Sequence, residues 1–246
     1  MSHNRLKLKA SVDAVRWLTF QNCPLRGNDK SIYSINIGNF IEMVKLLASY
    51  NEDVKNIVLD NAPQNAQYIA PSIQKEILHV IARKVRCVIR EKISDAKFCI
   101  LVDESRDESK REKMAIVLRY VDKVGIVQER FFDLVHVPDT SALTLKNEIT
   151  IAELSHGLVK TEKYEIYHLV FKLIRLVLTL PVSTAITERS FSAIKIVETR
   201  LRNKIEDEYL TDYLVTYIEK RTATQFSTDS IIDDFYDVKE CRARLR

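Results

Sequence analysis

The chain has 246 residues, of which 46% are hydrophobic and 29% charged, proportions that exclude an intrinsically disordered protein. Its formal net charge of +4 permits contact with nucleic acid without arguing for it, because 34 acidic residues nearly balance 38 Lys and Arg. With only 4 glycines, the sequence favours helices and excludes a glycine-rich phosphate-binding loop.

The first 95 residues show the apolar periodicity of amphipathic helices. It predicts helices over 5–20, 39–50, 51–60 and 71–95, with a loop over 22–34. The last of these helices has an apolar stripe and, opposite it, a basic face. That face consists of Lys75, Arg83, Lys84, Arg86, Arg90 and Lys92. It is either a solvated surface or a contact for DNA phosphates.

The pattern then changes to the alternation typical of strands. Short β-rich runs over 97–102, 114–121 and 126–137, with a turn over 122–125, predict a three-stranded antiparallel meander. Asp103 follows the first run directly, so we expect it at the carboxyl end of a buried strand. A carboxylate there either binds a divalent metal together with other acids or simply caps the next turn.

Helical patterns return after the strands. A helix starts at 141–148, an apolar helical region covers 153–180, and an amphipathic helix opens at Pro181 and runs to 202. Further helices are predicted over 206–219 and, briefly, around 231–235. The apolar residues over 164–178 are too many for a surface helix. The apolar stretch over 169–182 contains Lys172 and Arg175 and is shorter than the ~20 residues that a membrane span needs, so we interpret it as a core helix.

Cysteines and histidines give little sign of a metal site or a nucleophile. Cys23, Cys87, Cys99 and Cys241 lack the spacing of zinc ligands, and scattered cysteines suit a reducing compartment. The polar start, MSHNRLKLKASVD, lacks the pattern of a signal peptide. We therefore expect an intracellular protein that is neither secreted nor attached to a membrane.

Two phrases in the last third of the chain resemble a known family. They are TAITERSFSAIKIVETRLRN, at 184–203, and LVTYIEK, at 214–220. Both are similar to the C-terminal dimerisation region of hAT-type transposases, a likeness that runs over about 151–239. In that family the Thr-Glu-Arg-x-Phe-Ser signature leads into a helix that completes an RNase H-like core and builds a subunit contact.

The N-terminal part, over 5–149, resembles a domain of transposase-derived proteins of the zinc-finger MYM type. The matching phrases are GNFIEMVKLLASYNEDVKNIVLDNAP, YIAPSIQKEI and AKFCILVDESRDESKREKMAIVLRYVDKVGIVQERF. The resemblance implies that Asp103 corresponds to the first metal-binding carboxylate of the family. It also implies that Glu188 corresponds to the last.

The middle catalytic Asp of the family, in a phrase like Asp-Gly-Ala-Ser-Asn-Met, has no counterpart here. The sequence passes from LTLKNEI directly to TIAELSHGLVKTEKYEIY, as if the two ends of a transposase were joined near 148–151. We expect the family's N-terminal zinc-binding module to be missing as well. Two carboxylates do not make a three-carboxylate, two-metal site, so we predict that Asp103 and Glu188 are vestigial and that the chain is no enzyme. A divalent metal cofactor is expected only if that site is complete.

The predicted fold is α+β and mostly helical, with N-terminal helices, a partial RNase H-like core and a C-terminal helical dimerisation region. We place the domain boundary between 1–149 and 150–246. The apolar residues expected in or near the dimer contact are Tyr167, Phe171, Ile174, Phe191, Ile194, Leu214 and Tyr217.

The main function predicted from these residues is dimerisation, with a second copy or a related hAT-type protein as partner. DNA binding without catalysis, a residual metal-dependent nuclease and a fragmentary product with no selected role are the alternatives. The family resemblance favours a nuclear location, and the cytoplasm is the other intracellular possibility.

Overall fold

The structure, a computed structural model, describes residues 3–27, 37–59, 68–94, 98–106, 112–122, 124, 126–137, 192–193, 196–197 and 207–244. Helices α1 (His3–Phe20), α2 (Asn39–Tyr50), α3 (Glu52–Lys55) and α4 (Pro71–Ile93) come first. Strands β1 (Phe98–Arg106), β2 (Glu112–Val121) and β3 (Val127–Val137) follow. Helices α5 (Asp207–Ile218), α6 (Lys220–Ala223) and α7 (Thr228–Arg244) close the described chain. The fold is α+β and mostly helical, as predicted.

The chain divides into two compact units. The first combines Met1–Val88 with Val197–Arg246, and the second is Ile89–Ile196. Helix α4 begins in the first unit, and its residues from Ile89 onward belong to the second. The predicted boundary between 149 and 150 stays a prediction.

The first unit is built around helix α1. Its buried residues cover a broad face, about half of the helix surface, and include the polar Lys7, Ser11 and Thr19. Trp17 lies outside this face and is 50% exposed. Helix α2 adds Phe40, Val44 and Ala48 to this unit, at the i, i+4 spacing of one helical face.

The second unit contains a sheet in the order β1-β2-β3, with both pairs antiparallel. The predicted meander is thus confirmed. Every residue from 113 to 118 of β2 is buried, so both faces of the central strand are covered. On β3, Ile116 faces Asp133 while Val117 faces Phe131, which makes Phe132 the extra residue of a β-bulge. Both Phe131 and Phe132 are buried at this bulge.

Three predicted elements have different lengths in the structure. Helix α3 is four residues long instead of ten, capped by the Asn51 side chain, which accepts a hydrogen bond from Val54 N at 3.1 Å. Helix α7 runs well past the predicted 231–235, because Ser227 caps its start and the sequence contains no Gly or Pro to end it. Strand β1 continues to Arg106, four residues beyond the predicted end.

Other predicted helices fall largely outside the described residues. These are the helix start at 141–148, the apolar region at 153–180 and most of the helix at 181–202. Within the last, Ser192, Ala193, Ile196 and Val197 are described and helical, and Val197 is buried as its apolar position predicts. No helix in the described part of the chain is long and apolar enough to cross a bilayer.

Candidate functional site

Helix α5 lies deep in the first unit. Every residue from 210 to 216 is buried, so the helix has no solvated face along its central two turns. Leu210, Tyr213, Leu214 and Val215 contribute the apolar part of this burial. Such burial on all sides is typical of a core helix and places α5 among the elements on which the first unit depends.

A buried carboxylate on α5 is paired with two side chains of α4. Arg86 Nη1 donates to Asp212 Oδ1 at 2.9 Å, and His79 Nδ1 lies 2.8 Å from Asp212 Oδ2. The Asp212 side chain is 6% exposed, so water screens these contacts poorly. Both oxygens of the carboxylate are therefore satisfied by α4, as a buried charge requires.

His79 responds electrostatically to this environment. The hydrogen bond with Asp212 raises the pKa of His79 above its ordinary 6.5, and its burial opposes that effect. The second carboxylate near His79 belongs to Glu208, which lies 4.0 Å away in the exposed first turn of α5. The two carboxylates thus favour the charged form of the His79 imidazole. The His79 side chain is 39% exposed.

Helix α7 is held by charged residues of α1 and α4. Arg5 contacts Asp229 at 3.0 Å and Asp233 at 2.7 Å. Lys84 contacts Asp234 at 2.8 Å. Apolar burial of Ile231, Ile232 and Phe235 accompanies these ion pairs. The C-terminal helix α7 is therefore fixed on helices from the first 93 residues of the chain.

The end of α1 is also tied to the C-terminal helices. Tyr213 donates its hydroxyl to Cys23 O at 3.1 Å, and Lys220 donates to Phe20 O at 3.1 Å. The Lys220 ammonium also lies 5.5 Å from the centre of the Phe20 ring. The last carbonyls of a helix have no hydrogen-bond partner within it. These contacts supply partners to backbone carbonyls at and just after the end of α1.

The basic face predicted on α4 is partly used inside the chain. Lys84 and Arg86 form the ion pairs just described. The interpretation of this face as a solvated surface is therefore wrong for these two residues. Arg90 lies 5.2 Å from the centre of the Phe132 ring. Arg83, Arg90 and Lys92 are exposed.

Asp103 does not terminate its strand. It pairs with Ala115 in the middle of the β1–β2 ladder, which continues to Arg106 opposite Glu112. The ladder is made by backbone groups, so polar side chains at 103–106 do not end it. Residues 98–102 are half-buried instead of buried, because β1 has a single neighbour, β2, in the described sheet.

Glu188 lies outside the described residues. Among the residues that are described, no group of three or more His, Cys, Asp or Glu is placed to hold a metal ion. Cys23, Cys87 and Cys99 are free thiols. That Asp103 and Glu188 are vestigial metal ligands stays a prediction.

Two of the seven residues predicted for the dimer contact are described. Leu214 is fully buried within the chain, and Tyr217 is half-buried on the same helix. The others lie outside the described residues: Tyr167, Phe171, Ile174, Phe191 and Ile194. Their place in a subunit contact stays a prediction.

Sequence reasoning missed the contact between His79, Arg86 and Asp212. A weak signal was present, since Asp212 is the single charged residue in YLTDYLVTYI, at 209–218, where the other residues are apolar, aromatic or threonine. A charge within such a run is typical of a buried, paired carboxylate. Nothing in the spacing identifies partners 126 and 133 positions away.

Two family models match the chain. The model of the ZMYM1/FAM200 RNase-like domain, DUF4371, matches residues 1–163, which include α1 to α4 and the sheet. The model of the hAT family C-terminal dimerisation region matches residues 146–221, which include α5. No solved structure matches the chain. The chain therefore belongs to the DUF4371 family of ZMYM1/FAM200 RNase-like domains and continues into an hAT C-terminal dimerisation region.

Proposed function

We propose that this chain is a non-catalytic, transposase-derived protein whose main activity is association with a second chain through its hAT dimerisation region. The partner is another copy or a related hAT-type protein. The observation that carries the proposal is the match of residues 146–221 to that region, whose helix α5 is anchored to α4 through Asp212. We expect the protein to be intracellular, in the nucleus or the cytoplasm.

Within this proposal α5 and the residues before it have different roles. Because residues 210–216 are buried in the first unit, α5 anchors the dimerisation region and offers little surface to a partner. We assign the contact itself to the apolar positions upstream, Tyr167, Phe171, Ile174, Phe191 and Ile194, with Tyr217 at its edge. Apolar surface that its own chain leaves uncovered favours association.

Analytical ultracentrifugation of the whole chain tests the association. We expect a dimer at tens of micromolar, and Phe171→Glu should shift it to monomer without changing the melting temperature of the first unit. Leu214→Ala is the matched control for loss of packing inside the chain. It should lower the melting temperature, and any loss of dimer in this variant should accompany unfolding. A strict monomer across the concentration range contradicts the proposal.

The absence of catalysis is tested separately. The sequence has no counterpart of the family's middle carboxylate, and at least three such ligands are needed to hold the two metal ions that align the attacking and leaving oxygens. We expect no cleavage or joining of transposon-end DNA with Mg²⁺ or Mn²⁺. Metal-dependent cleavage that Asp103→Ala abolishes would show that the protein is an enzyme.

DNA binding without catalysis is the second candidate. The exposed Arg83, Arg90 and Lys92 favour it, since lysine and arginine side chains are the groups that bind phosphate. The engagement of Lys84 and Arg86 with Asp234 and Asp212 reduces the basic surface left for DNA.

A further inference from the structure

Among the described contacts between α4 and α5, the one made by His79 involves a group whose charge changes near neutral pH. Its Nδ1 lies 2.8 Å from Asp212 Oδ2, in a contact that joins residues 133 positions apart. Histidine alone among ordinary side chains gains or loses its charge between about pH 5 and 8. The strength of the contact between His79 and Asp212 can therefore depend on pH.

The charged groups that face His79 come from two helices. Asp212 and Glu208 on α5 attract the imidazolium, and Arg86 on α4 itself repels it. Asp212 is nearest and is buried, whereas Glu208 is 84% exposed and 4.0 Å away. Attraction to α5 thus outweighs repulsion within α4, and the direction of the effect is set by the buried carboxylate.

We propose that protonation of His79 tightens the attachment of α5 to α4, so that docking of the dimerisation region is proton-linked. The consequence for the dimer rests on the proposed function, but the attachment itself does not. The buried carboxylate of Asp212 has two partners on α4. Arg86 is always charged, whereas the charge of His79 depends on pH.

The sign follows from the direction of the titration. Asp212 raises the pKa of His79 in the folded chain, so folding favours the protonated form. The stabilisation is fully present below the ordinary value of about 6.5 and is lost as the pH rises through the raised, folded value. Neutral His79 can still donate from Nδ1–H to Asp212, so the contact weakens at high pH without breaking.

Hydrogen exchange of the α5 backbone tests the attachment directly. Protection factors of the amides of 211–216 should rise by about two- to five-fold from about pH 8.5 to about pH 5.5, the range typical of a half-exposed ion pair. His79→Gln keeps a neutral donor beside Asp212 and should remove the pH dependence. His3→Gln, at the exposed start of α1, is the matched control and should leave it intact.

Two results overturn the proton link. They are a wild-type profile that is flat with pH, and a His79→Gln profile with the same slope as the wild type. Sedimentation of the same samples shows whether the dimer strengthens on acidification. A monomer at every pH contradicts the proposed dimerisation, while the exchange data still decide whether His79 controls the attachment.

Discussion

Arg86 donates a hydrogen bond to Asp212 across 2.9 Å, although 126 positions separate the two residues. Arg86 belongs to the part of the chain matched by the RNase-like domain, and Asp212 to the part matched by the dimerisation region. The first unit accordingly joins Met1–Val88 to Val197–Arg246. The dimerisation region is therefore not an appendage, because its helix α5 completes the core on which the N-terminal helices depend.

We predict that Asp212→Ala destabilises the protein by about 2–4 kcal/mol, because it leaves Arg86 next to a buried cavity without its carboxylate. Urea or thermal unfolding followed by circular dichroism measures this. Asp229→Ala is the matched control, since Asp229 is half-exposed in its pair with Arg5 and should cost less than about 1 kcal/mol. If the two variants lost equal free energy of unfolding, the buried ion pair of Asp212 would contribute no more stability than the exposed pair of Asp229.

Leu214 and Tyr217 should separate packing inside the chain from contact outside it. Leu214 is fully buried, so Leu214→Ala should lower the free energy of unfolding by about 2–5 kcal/mol through the cavity it creates. Tyr217 is half-buried, and Tyr217→Ala should cost about 1 kcal/mol. Unfolding curves give both values, and sedimentation of the still-folded Tyr217 variant reports its part in the dimer. A larger loss for Tyr217 than for Leu214 would contradict this assignment.

The hairpin between β2 and β3 should weaken in acid. The Asp122 carboxylate accepts hydrogen bonds from the backbone N–H of Ile126 at 2.9 Å and of Val124 at 3.0 Å, and from the Gln128 amide. These bonds lower the pKa of Asp122 below its ordinary 3.8, the one to Ile126 most. Their stabilisation is present above about pH 3.8 and is lost as the pH falls through the lowered value.

Amide exchange at Ile126 against pH measures this weakening of the hairpin. Asp122→Asn keeps an acceptor oxygen and should remove the acid dependence, whereas Asp122→Ala should raise exchange at every pH. An unchanged acid profile in the Asn variant would show that another group controls the turn.

Local periodicity accounts for the elements that the sequence predicted well. Helices α1, α2 and α4 and strands β2 and β3 are all long enough for an apolar pattern to stand out. The end of β1 was predicted wrongly because polar residues 103–106 are held by backbone pairing with β2, which side-chain pattern does not report. The bulge at Phe132 was not anticipated for a similar reason, since two adjacent aromatic residues break the alternation of a regular strand.

The candidate site was harder to predict, because its contacts join distant parts of the chain. The basic residues of α4 looked equivalent in the sequence, yet Lys84 and Arg86 each have an aspartate partner on a C-terminal helix. Helix periodicity identifies a charged face but not the acidic residue that packs against it. The likeness to the dimerisation region identified the segment to which we assign association, and the structure added how α5 is anchored.

DNA binding, if it occurs through α4, should involve few phosphates. Lys84 and Arg86 already contact Asp234 and Asp212, which leaves Arg83, Arg90 and Lys92 as the exposed members of the basic set on α4. Each phosphate contacted contributes about −0.9 to the slope of log K against log salt, so three contacts give a slope no steeper than about −3. Filter binding to duplex DNA over a range of salt concentrations measures it. Arg83→Ala should reduce the slope by about one unit, while His3→Gln, elsewhere on the surface, should leave it unchanged. A slope much steeper than this, insensitive to Arg83→Ala, would place the DNA contact on another part of the protein.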